Sequence, residues 1–182
     1  MTTLPNRPNT AVLVIDVQNG VVRTGPNRDE VIANIGTVVD KARAGGVPVI
    51  WVQHQSDDLP VDSEQWQYVP ELPFGEGEPV IHKRYGDSFE ATELEDELAA
   101  RGIGKLIVTG AQTDACVRST LHGAFTRGYD TTLVSDAYTT EDLSQRGAPK
   151  PEDVIAHTNL YWSFQAAPDR EAEVVKAAEV AF

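Results

Sequence analysis

The sequence holds a single cysteine, Cys116, in 182 residues. One thiol forms no internal disulfide and builds no cysteine-based metal cluster, which suits a reducing compartment. Basic residues are also scarce: 15 Lys and Arg stand against 28 Asp and Glu, for a formal net charge of -13. Such a field repels phosphate backbones and anionic lipid surfaces, so no nucleic-acid or membrane partner is expected. Long apolar runs are missing: Ala11–Ile15 falls far short of the roughly 20 residues a spanning helix needs. Met1–Thr10 is polar, carries Pro5 and Pro8, and has no apolar signal core. The expected location is cytoplasmic. Glycine-rich phosphate loops are missing too. The first apolar run leads into Asp16-Val-Gln-Asn-Gly20 rather than G-x-G-x-x-G, and no G-x-x-x-x-G-K-[ST] occurs anywhere. No repeat or low-complexity tract is present.

What remains is a hydrophobic fraction of 41%, enough for one buried core, and residues 1–182 read as one domain. Short β-branched runs alternate with helical spacing. Strands are expected at 11–15, 47–52, 79–82, 105–109 and 131–134, with an edge strand at 173–176. Helices are expected at 29–44, 92–100, 113–127 and 151–166, Pro151 suiting a first turn. That rhythm predicts an α/β fold: a three-layer α/β/α, Rossmann-like arrangement around a parallel sheet of five or six strands. Residues 54–78 break the pattern. About 25 residues without periodicity inside a compact domain make a functional or a disordered loop, and Trp66, Tyr68 and Phe74 favour an ordered one.

Open parallel sheets bind ligands at the carboxyl ends of their strands, where strand order reverses. Asp16 follows the first strand, His82, Lys83 and Arg84 the third, and Gln112, Thr113 and Cys116 the fourth. A lone cysteine is ordinarily a small buried apolar residue. Here Thr113 or Asp114 could cap the following helix, placing the thiol in its first turn, where the helix dipole favours a thiolate. Unpaired N–H groups there could hold an oxyanion. Asp16 is the nearest base by topology, and Lys83 can supply a cation. Each has a plainer reading: a carboxylate that ends a strand often forms a turn, and a lysine is usually a surface charge.

Three segments, in order, resemble the isochorismatase-like cysteine hydrolases. They are Leu13-Val-Ile-Asp-Val-Gln-Asn-Gly20, Lys83-Arg-Tyr-Gly-Asp-Ser-Phe89 with Thr92 and Leu94, and Val108-Thr-Gly-Ala-Gln-Thr-Asp-Ala-Cys-Val-Arg-Ser-Thr120; Ser135-Asp136-Ala137 is a weaker fourth. The resemblance implies that Cys116 is the nucleophile, Asp16 the general base and later acid, and Lys83 the thiolate's cation. It implies a cis peptide between Ala111 and Gln112, with the backbone N–H groups of Gln112 and Cys116 as oxyanion hole. It implies cleavage of an amide-type C–N bond of a small molecule through a thioester, in a homo-oligomer without cofactors. Family nicotinamidases carry a metal-binding D-x-H after the second strand. This chain has Gln53-His-Gln-Ser56 there, and His54, His82, His122 and His157 look too scattered for a site, so no metal is expected. The lysine motif reads Gly-Asp-Ser-Phe where many members have Tyr-Ser-Ala-Phe, which changes pocket polarity. Gln18, Trp66, Tyr85, Phe89 and Gln112 are the candidate substrate contacts, with Tyr138 and Trp162 as further aromatics that could equally be core or interface. Two other readings stay open: vinyl-ether hydrolysis of the isochorismatase type, which the resemblance assigns no cysteine nucleophile, and a non-catalytic binding module.

Overall fold

Apolar β-branched runs with no polar face, such as Ala11–Ile15, need cover on both sides, and they form the centre of a six-stranded sheet in the computed structural model, which describes residues 2–182. The strands are β1 (Asn9–Ile15), β2 (Val49–His54), β3 (Val80–Lys83), β4 (Ile103–Ala111), β5 (Asp130–Thr139) and β6 (Ala172–Val175). All pair in parallel, in the order β3-β2-β1-β4-β5-β6. The order reverses between β1 and β4, so their carboxyl ends form the crevice where such sheets take ligands.

Side-chain alternation along β1 sorts the core into two layers. Val12 and Val14 pack with α2 (Arg28–Ala44), whose Val31, Ile32, Ile35, Val38, Val39 and Ala42 form a buried stripe. Ala11, Leu13 and Ile15 pack on the other face with α3 (Leu94–Ala100), α4 (Arg118–Arg127) and α5 (Pro151–Trp162). The helix–sheet–helix sandwich matches the expected fold class. A single turn, α1 (Asn19–Val22), was not expected; it is too short to show periodicity. No helix among the described residues is long and apolar enough to cross a membrane.

Several boundaries differ from the sequence expectation for physical reasons. β5 runs on to Thr139 because pairing resumes past a bulge: Val108 faces Leu133, but Gly110 faces Tyr138. Polar Ser135 and Asp136 in that bulge disguise its continuity. Their side chains are spent on the carbonyl of Val175 and the N–H of Ala177, so this weaker motif ties the sheet to the C-terminal segment. The helix expected over 113–127 opens with a π-helical turn at Thr113–Val117, in which Val117 N–H donates to Gln112 O at 3.1 Å. Such turns recur at functional sites because they re-aim side chains.

The long irregular segment after β2 is ordered by the sheet it covers. Tyr68 Oη donates to the carbonyls of Val14 and Val52, and the Phe74 ring packs 4.8 Å from that of Trp51. Tyr138 and Trp162, aromatics that could have walled a pocket, are instead fully buried. Tyr138 Oη donates to Asn159 Oδ1 at 2.7 Å, and Trp162 packs on Phe125.

Candidate active site

Four neighbouring strands end at one place. Asp16 leaves β1 with φ 51°, a left-handed conformation that Asp tolerates better than most residues, and its N–H donates to Val52 O. Across the switch point Gly110 takes φ 122°, and a Cβ there would collide with the carbonyl of Ile15. Only glycine lets β4 approach β1 this closely. The peptide that follows, Ala111–Gln112, is cis, as the resemblance implies. The π turn then carries Cys116 back over the end of β1.

Lys83, the last residue of β3, reaches under this turn with its side chain fully buried. Its Nζ lies 2.7 Å from Asp16 Oδ2, 3.1 Å from Cys116 Sγ, 3.1 Å from Tyr85 O and 3.3 Å from His54 Nδ1. The loop behind it is pinned to α4: Ser88 N–H donates to Thr120 Oγ1, the two hydroxyls share a 2.8 Å bond, and Thr92 Oγ1 donates to Ser88 O. Asp16, Lys83 and Cys116 therefore meet in one cluster. Sequence topology anticipated that meeting.

His54 was not anticipated. An imidazole nitrogen of His54, a carboxylate oxygen of Asp16 and Cys116 Sγ lie within 4.8 Å of one another. The strand-end rule points to it once β2 is seen to run to His54, two residues beyond the strand expected at 47–52. By donor chemistry these three side chains are the set that could take a metal ion among the described residues. The Lys83 ammonium stands within 3.3 Å of all three, so a cation already fills the space between them.

Burial sets the electrostatics. It pushes the Asp16 carboxyl above its ordinary range, and the Lys83 charge only partly offsets this. Burial pulls the Lys83 ammonium down, but Asp16 and Cys116 outweigh it and leave the group firmly charged. The Cys116 thiol is pushed up to about 12, first by burial and then by the Asp16 charge, with Lys83 opposing. Burial first, and then the Asp16 charge, oppose the thiolate that a helix start would favour. The expected cap is absent as well, since Asp114 Oδ1 accepts from Thr140 Oγ1 and Thr113 Oγ1 has no partner. No backbone N–H or hydroxyl among the described residues donates to the Asp16 carboxylate, so it depends on Lys83 for its charge and faces the thiol as an open acceptor.

That dependence predicts the behaviour of Lys83→Met. The variant strands a buried carboxylate, which should cost about 3–5 kcal/mol. Asp16 can escape by taking a proton, because its folded pKa would then lie even further above its unfolded value. The folded variant thus binds more protons than the unfolded chain, and stability falls as pH rises. Urea melts at pH 8 and pH 5 should show the larger deficit at pH 8; equal deficits would mean the pair is not coupled.

The expected substrate contacts divide. Gln18 is fully buried and its amide is spent: Nε2 donates to His54 O and Trp66 O, and Oε1 accepts from His54 N–H. It is a staple that holds His54 and Trp66, not a substrate contact. Phe89 is a core residue, packed on Tyr129 with the Arg127 guanidinium 4.7 Å over its ring. Tyr85 is exposed and contributes its carbonyl to Lys83, Trp66 is half-buried and stacks on His82, and Gln112 is half-buried at the start of the π turn. A cavity of about 570 Å³ between α4 and α5 is lined by Asp114, Arg118, His122, His157 and Tyr161. Asp114, Arg118 and His122 recur every four residues along one helix face, which does not include Cys116.

Comparison with known proteins agrees with the geometry. The isochorismatase domain matches residues 10–149. The chain belongs to the isochorismatase family. It is 32% identical to streptothricin hydrolase of Streptomyces noursei over 184 residues, covering 97% of this chain and 72% of that protein. It is 32% identical to ureidoacrylate amidohydrolase RutB of Enterobacter sp. (strain 638) over 187 residues, covering 75% of this chain and 81% of that one. The crystal structure of an isochorismatase from Pseudomonas putida KT2440 superposes with a TM-score of 0.81 at 31% identity, covering 94% of this chain and 90% of that chain. As an isochorismatase-family hydrolase, the chain carries its Asp16, Lys83 and Cys116 cluster at the switch point of the family's sheet.

Proposed function

We propose that this protein hydrolyses an amide-type C–N bond of a small molecule through a thioester on Cys116. The observation that carries the reading is Lys83 Nζ, set 2.7 Å from Asp16 and 3.1 Å from Cys116, with the thiol facing the carboxylate. The kinship to a ureidoacrylate amidohydrolase and a streptothricin hydrolase supports it.

The resting state holds one proton too many on sulfur. Asp16, its basicity raised by burial, takes that proton as Sγ attacks the carbonyl carbon. Lys83 stays charged and compensates the sulfur as the proton leaves. The carbonyl π electrons move to oxygen, and the N–H groups of Gln112 and Cys116 stabilise the oxyanion. The oxyanion collapses, the C–N bond breaks, and Asp16 returns the proton to the leaving nitrogen. Water then adds to the thioester carbon and gives a proton to Asp16. The second oxyanion collapses, the C–S bond breaks to release the carboxylic acid, and Asp16 returns the proton to the sulfur. Tyr85, whose carbonyl accepts from Lys83, and half-buried Trp66 stay candidate substrate contacts.

A panel of carboxamides, N-carbamoyl amines and ureido acids, assayed for ammonia release, tests the reaction class. At least one class is expected to turn over, and acid-quenched enzyme should carry a hydroxylamine-labile acyl group on the Cys116 peptide. Pyruvate release from isochorismate with no hydrolysis across the panel would instead establish the vinyl-ether reaction. Binding of panel members without turnover of any would establish a binding module.

A further inference from the structure

The structure assigns His54 a role in the cleft: we propose that it is a substrate-recognition residue whose Nε2–H donates to an acceptor oxygen beside the atom that Cys116 attacks. Nδ1 of His54 lies 3.3 Å from Lys83 Nζ. A charged ammonium has three protons and no lone pair, so it can only donate. Its three protons face four neighbours, Asp16, Cys116, the Tyr85 carbonyl and Nδ1, and an N–H on Nδ1 would point at the positive charge, which favours the lone pair on Nδ1 and the ring proton on Nε2. The doubly protonated ring is disfavoured as well, since burial and then the Lys83 charge both hold the imidazole below its usual range. One neutral tautomer is fixed at working pH.

The ring is also fixed in place. Gln18 grips the His54 backbone from both sides, accepting from its N–H and donating to its carbonyl. The residue is half-buried, and Nε2 has no protein partner among the described residues, yet it is not among the buried polar atoms. A donor is thus held, solvent-accessible and unspent, on a ring bordering the space shared by Asp16 and Cys116.

This fixed tautomer decides what can bind. His54 cannot act as a base, because its one free lone pair is taken by Lys83. It also cannot accept from a substrate N–H. It selects a carbonyl, ureido or carboxylate oxygen and turns the leaving nitrogen away towards Asp16. The orientation of the leaving group rests on the reading of the protein as an amide hydrolase; the donor itself does not.

The test needs no known substrate. Alkylation of Cys116 is followed with iodoacetamide, which carries an acceptor oxygen, and with iodoethane, which carries none. The ratio of the two rate constants within one variant cancels any change in thiol reactivity. His54→Leu is expected to lower that ratio about tenfold, the loss of roughly one hydrogen bond. His54→Gln offers an oxygen to Lys83 and an N–H to the cleft, and should recover most of it. Should the leucine variant fail to fold, His54→Met makes the same deletion with a more adaptable side chain. An unchanged ratio in the deletion variant, or one that glutamine does not restore, overturns the assignment. Failure of the amide panel with a lowered ratio would overturn the proposed reaction and leave the His54 donor standing.

Discussion

Cys116→Ala is expected to lower ammonia release on whichever panel member turns over by at least about 10⁴-fold, with little change in stability. Residues that act as one catalytic unit lose nearly everything when the nucleophile goes. No substitute stands nearby. His54 offers a proton rather than a lone pair, and Asp16 is held by Lys83 beneath the sulfur. The fold should tolerate the change because Cys116 is only half-buried, at the margin of the core layer formed with α4. Removing one sulfur there leaves the Asp16–Lys83 pair intact, so a melting shift worth no more than about 1 kcal/mol is expected. Cys116→Ser should be almost as inactive, since a hydroxyl is a far weaker acid than a thiol in the same buried setting. Turnover within a hundredfold of the parent in the alanine variant would remove the thioester route.

The sequence announced the sheet and the cluster for the same reason. Runs such as Ala11–Ile15 and Leu106–Val108 have no polar face, so they must lie inside a covered parallel sheet, and residues at their carboxyl ends must meet at the switch point. What stayed hidden depended on the third dimension. Gln18 sits two residues past the acid, as a substrate contact could, but its amide is consumed by backbone that is distant in sequence. Phe89 follows the lysine motif, yet Arg127 closes over its ring from α4. His54 looked like one of four scattered histidines until the pairing of His54 with Lys83 across β2 and β3 put it in the cleft. Local patterns report periodicity and strand ends. They do not report which polar groups are already spent.

The protonation state of the thiol depends on the groups packed around it, and Asp16→Asn isolates the carboxylate's share. The variant is expected to lose about 10²–10⁴ in turnover, the usual worth of a positioned acid and base. Its thiol should nevertheless become more reactive. Burial is the first cause of the raised thiol pKa and remains, but the Asp16 charge, the second, is gone. Lys83 then lacks an anion, and the sulfur 3.1 Å away becomes the partner it can ionise. Removing a repelling charge lowers the pKa of an acid, so more thiolate is present at any given pH. The apparent thiol pKa, read from alkylation against pH, should fall below about 12. Opposite movements of alkylation and turnover are the signature of a carboxylate that suppresses the resting thiolate and carries its proton during reaction. A thiol pKa that does not move would show that burial alone sets it, and turnover that survives would place the base elsewhere.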